Sequence, residues 1–188
     1  MTHFRCTLVL ASASLLSAGH ATTPSEYAGQ ERREIKALSV DEIDGYLAGK
    51  GLGLAKAAEL NGYPGPMHVL QLSRELALSD EQRRRTEALF AAMQAEAIER
   101  GKAYVAAERD LDRLFAAGSV SRAALETALQ RSASLQAKVR QAHLDAHLKQ
   151  IEILDAAQRA KYSALRGYAA SDSEQRAPAT SSPHPRHH

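Results

Sequence analysis

From Asp80 to about Ala116, apolar or small residues return at alternating steps of three and four: Phe90, Met93, Ala97, Tyr104, Ala107, Leu111 and Leu114. That spacing puts them on one side of a long helix, and the seam is interrupted at Arg100. Gly118-Ser119-Val120-Ser121 then predicts a tight turn. A second long helix follows from about Arg122 to Ile153, with a seam of its own through Leu125, Ala128, Ser132, Leu135, Val139, Ala142, Ala146 and Ile153. The expected body is a long antiparallel helical hairpin. At about 1.5 Å per residue each arm spans roughly 50 to 55 Å, so the two open ends return to the same place.

Shorter elements flank the hairpin. Ser39 and Glu42 form a capping box that opens a short helix, and Gly49, Gly51 and Gly53 end it. A second short helix, about Leu54 to Leu60, stops at Asn61-Gly62. Pro64 and Pro66 then turn the chain into a third, about Met67 to Leu76. These pieces have the look of a lid. A terminal helix is expected from about Ala156 to Tyr168. Leu144, Leu148 and Ile151 lie nearly opposite the second arm's seam, and a helix apolar on two faces needs cover on both. A second copy of the chain is the expected cover, giving an intertwined homodimer. The alternative is that the short N-terminal helices cover that face within one chain.

Composition supports this helical reading and excludes several chemistries. The 188 residues are 44% apolar but only 5% aromatic, with no Trp, which suits thin helical seams better than one thick core. The single cysteine, Cys6, lies in an apolar run from Cys6 to Leu16 that follows Arg5; small residues after it place Gly19 and Ala21 where a signal peptidase cuts. Residues 1–21 are therefore expected to be a cleaved export signal, leaving a cysteine-free exported protein without disulfides or thiolate metal sites. Nothing else is apolar for the roughly 20 residues that a membrane-spanning helix needs. A flexible linker is expected over 22–36, a helical domain over 37–168 and a disordered tail over 169–188. The tail carries His184, His187 and His188, which could hold metal loosely. The net charge of +2 is too small to argue for nucleic acid.

Catalytic patterns are absent: there is no nucleophile elbow, phosphate loop or His-Glu-x-x-His helix, and a non-enzymatic protein is expected. Asp110 and Asp112, two apart on a helix, face different ways and are read as solvated. His143 and His147 are four apart on one face of the second arm, near enough to hold one ion together. Folding the hairpin at Gly118 brings them near Phe90, Met93 and Glu96, with Glu96 as a third candidate ligand for zinc, nickel or copper. The plain alternative is a pair of half-buried histidines beside an apolar seam. His68, alone after Pro66, is read as structural.

Two short stretches share one form: Leu78-Ser79-Asp80-Glu81-Gln82 and Leu154-Asp155-Ala156-Ala157-Gln158. In each, a capping oxygen on Ser79 or Asp155 stands three residues before a glutamine, Gln82 or Gln158, the spacing of a capping box. On these motifs the chain resembles, over roughly Ala37 to Tyr168, the periplasmic Spy/CpxP proteins, marked by paired Leu-Thr-x-x-Gln motifs, and their metal-binding relatives ZraP and CnrX. Ser79 and Asp155 stand where those motifs have threonine. The segment Gly51 to Pro66 also looks like one found in a bacterial subgroup of these proteins.

The resemblance implies a cradle-shaped dimer that acts as an ATP-independent chaperone or envelope-stress protein. It would need no cofactor and would hold unfolded clients on a helical surface, with an envelope-stress sensor as a further partner. Arg83, Arg84, Arg85, Leu89, Met93 and Ile98 are candidates for that surface. The alternative implied by the metal-binding relatives is a periplasmic sensor or buffer of zinc or another divalent transition metal; a purely structural envelope protein is a third reading.

Overall fold

The computed structural model describes residues 23 and 25–168; the export signal and the histidine tail expected from the sequence lie outside the described residues. The described chain is all-α, with six α-helices and no strand: α1 Val40–Leu47, α2 Lys56–Glu59, α3 Pro66–Gln71, α4 Asp80–Ala116, α5 Arg122–Ile151 and α6 Ala156–Leu165. A turn of 3-10 helix, Gln30–Arg32, precedes them. Helices α4 and α5 form the expected antiparallel hairpin, and α1 and α3 pack on α4. The short helices are briefer than the sequence suggests, because only the proline and glycine punctuation fixes their ends.

Burial along the hairpin comes in three small groups. Ile35, Leu38 and Tyr46 pack on Tyr104, Val105 and Val139, with Tyr46 and Tyr104 edge to face at 4.8 Å. Met93, Ala97 and Ala146 form a second group. Val69, Leu76, Leu78, Leu154 and Tyr162 form the third at the open end. Ile35, within the expected linker, is fully buried, and Lys36 and Glu34 beside it pair with Asp112 and Arg109 at 3.0 and 2.6 Å. Arg100, which interrupts the seam, reaches across to donate to the Lys138 carbonyl at 2.6 Å. On the second face of α5, Leu144 and Ile151 are half-buried and Leu148 is 52% exposed, so the N-terminal helices do not cover that face completely.

The two motifs meet at the open end. Ser79 and Asp155 each cap their helix in a complete capping box with Gln82 and Gln158. Each glutamine amide then continues across the gap: Gln82 Nε2 donates to Gln158 Oε1 at 2.8 Å, and Gln158 Nε2 donates to Gln82 Oε1 at 3.0 Å. The same nitrogens reach the carbonyls of Ile153 and Leu76 at 2.9 and 3.3 Å. Leu78 and Leu154 are buried directly beneath. The motif is therefore a clasp between α4 and α6 as well as two helix starts.

Replacing Gln158 with alanine strands these partners and is expected to cost about 2 kcal/mol of stability in urea unfolding. A double-mutant cycle with Gln82→Ala should return a coupling of about 1 kcal/mol, and additive losses would mean that the reciprocal pair contributes nothing.

Candidate functional site

One cavity of about 710 Å³ lies where the lid meets the hairpin, within the range that small ligands occupy. The glycine-rich turn after α1 and the α2–α3 segment form its outer wall. Phe90, Met93 and Gln94 from α4 and His143, Ala146 and His147 from α5 form its floor, and Arg166 and Tyr168 close one end.

The two histidines owe their place to their spacing. Four residues apart, they face the same side of α5, and the lid buries both to 5% and 8% exposure. His147 Nδ1 lies 2.7 Å from the Tyr63 carbonyl. A carbonyl only accepts, so Nδ1 is the donor in this contact and turns Nε2 away from it. A Cβ on Gly65 would stand 2.9 Å from that Nε2, so glycine there keeps the space beside it free. His143 Nε2 is buried and makes no hydrogen bond among the described residues. Burial, reinforced by the neighbouring His147, pushes the His143 pKa down and favours the neutral imidazole that a metal ion requires.

Glu59, which the sequence does not single out, organises the lid side. It accepts hydrogen bonds from Tyr162 at 2.6 Å, Tyr168 at 3.1 Å and the Gly65 amide at 3.2 Å. Arg166 Nε stands 3.4 Å away, His68 Nδ1 3.5 Å and His147 Nδ1 3.8 Å. Its carboxylate joins α2 to α5 and α6 through residues about a hundred positions away. Tyr162 is held protonated by burial and by donating to Glu59. The His68 pKa is pushed down by burial first and by Arg166 next, against the opposing pull of Glu59. His68, read as structural, is thus a cavity residue. The only trace of Glu59 in the sequence is a lone acid amid Ala57, Ala58 and Leu60.

The remaining expected site residues fall elsewhere. Glu96 is exposed, bonded to Arg100 and absent from the cavity lining, so it does not join the histidine pair. Met93 is 9% exposed and belongs to the interior, while Leu89 and Ile98 are half-buried; of the expected client surface only Arg83, Arg84 and Arg85 lie open. Asp112 and Asp110 are paired, with Lys36 and with Arg131 at 3.1 Å. Among the described residues, no three His, Cys, Asp or Glu side chains stand together as a ready-made ligand set. What fits a metal ion is the donor pair itself: two buried imidazoles one helical turn apart, with His143 unpartnered at Nε2 among the described residues.

No helix among the described residues is long and apolar enough to cross a membrane. Residues 47–161, more than half of the chain, match the profile of a family described as heavy-metal resistance, which belongs to the Spy/CpxP-like group of helical folds. No curated protein and no solved structure matches. The histidine pair, both glutamine motifs and all of the cavity lining except Arg166 and Tyr168 fall within the matched span.

Proposed function

Since the chain belongs to the heavy-metal resistance family, we propose that it is an exported, non-catalytic protein that binds a transition-metal ion in the cavity between lid and hairpin. The observation that carries this reading is the buried His143 Nε2, which has no partner among the described residues and lies one helical turn from His147. Burying an imidazole nitrogen without a partner is costly, and an ion that accepts it offsets that cost. His143 and His147 would hold the ion, and Tyr63, through its carbonyl, fixes the tautomer of His147. When bound, such an ion is sequestered behind the lid, which suits buffering better than signalling.

The client-holding reading has less support, because Met93 at the centre of its proposed surface is interior. The homodimer remains part of the proposal, with the exposed Leu148 face of α5 as its seam.

Calorimetric titration of the full chain with zinc, nickel and copper tests the function. At least one should bind with a stoichiometry near one, and the His143→Ala, His147→Ala double variant should weaken that binding on the order of 100-fold. Binding unchanged in the variant, or none at all, would overturn the assignment.

A further inference from the structure

Every methionine and every histidine among the described residues lines the same cavity: Met67, Met93, His68, His143 and His147. They come from α3, α4 and α5, so no local repeat explains the convergence. Thioether sulfur is a poor donor for zinc or nickel and a good one for soft ions. Resting on the metal-binding reading above, we propose that the cavity selects a soft monovalent ion, copper(I), held by His143, His147 and Met93, with Met67 at the mouth.

Charge supports the choice independently. Among the described residues Glu59 is the only carboxylate lining the cavity, and Tyr162, Tyr168, the Gly65 amide and Arg166 already occupy it. Lys50 and Lys56 also line the cavity and pair with no acid among the described residues. The free donors, thioether and imidazole, thus bring no negative charge, and the fixed charge around them is positive. The desolvation cost of an ion grows with the square of its charge, so this environment penalises a divalent ion far more than a monovalent one. Met93 is 9% exposed and packs on Ala97 and Ala146, whereas Met67 is 45% exposed. One sulfur therefore lies on the floor and the other where an ion enters.

The test is anaerobic competition of the full chain against a chromophoric copper(I) chelator, beside zinc titration. Silver(I) serves as a redox-inert probe, read on the methyl resonances of labelled methionine. The Met93 and Met67 methyls should shift with one equivalent of silver(I). Met93→Leu, close to isosteric and so expected to fold, should weaken copper(I) at least about tenfold and leave zinc binding unchanged. Copper(I) affinity unaltered in both Met93→Leu and Met67→Leu, or zinc held as tightly as copper(I), would overturn this proposal alone. Binding of both metals unaltered by the double histidine substitution would overturn the metal-binding reading with it.

Discussion

Replacing Gly101 with alanine is expected to destabilise the protein by about 3 kcal/mol, although alanine is the better helix former by about 1 kcal/mol. Gly101 lies within α4, where α1 crosses it, and a Cβ there would stand 2.3 Å from the Tyr46 carbonyl oxygen and 2.9 Å from its carbon. Both atoms are backbone, so no side chain can rotate away; α1 must retreat or α4 must bend. Retreat also pulls Tyr46 from the edge of Tyr104 and loosens the group around Ile35. Overpacking between two backbones therefore outweighs the gain in propensity. Gly51→Ala is the control, since a Cβ there meets nothing within 4 Å. Urea unfolding followed by circular dichroism should show a large loss for the first variant and none for the second; equal midpoints would mean that the crossing is not close-packed.

A still larger loss, about 3 to 5 kcal/mol, is expected for Glu59→Ala, the range found when one partner of a buried ionic network is removed. Glu59 is 9% exposed, and its removal leaves the Tyr162 hydroxyl, the Gly65 amide and Arg166 facing an apolar hole. Glu59→Gln keeps an acceptor for the two tyrosines while losing the charge, and should cost about 1 to 3 kcal/mol. Tyr162→Phe removes one bond and its cost should lie in the same lower range. The ordering of the three variants in urea separates a buried hub from a surface ion pair. For a surface pair, Glu59→Ala would fall within about 0.5 kcal/mol of the parent.

The long elements were legible because their signals are local and redundant. Ser79 announces the start of α4 and Gly118 its end, and between them the seam returns with helical period through Met93, Ala97, Tyr104 and Ala107. That the two motifs come together at one end followed from matched arm lengths; the bonds between Gln82 and Gln158 did not. Gly101 reads in sequence as a mere weakness in a helix, because the chain that needs its missing side chain lies some fifty residues earlier. Arg100 likewise reads as a break in the seam, while its real partner is a carbonyl on the other arm. Glu96 illustrates the limit of register arguments. It lies at the right height opposite the histidines, but three residues from Met93 it points to the side, where Arg100 is one turn away. Glu59 and His68 join the site only because Pro64 and Pro66 return the lid onto α5, a path that turn residues permit without specifying.

The apolar groups of this protein are strung along an axis, with the clasp at one end and the Gly118 turn at the other. Between about Arg122 and Arg131 the second arm has no fully buried residue, and Phe115 beside the turn is 59% exposed. Little apolar surface must be hydrated to part the arms there, whereas parting them at the clasp also breaks the cross-linked amides and uncovers Tyr162. The fold is therefore graded in lifetime: amides at the turn end should exchange through brief local openings, and those at the clasp and the cavity floor only through larger ones.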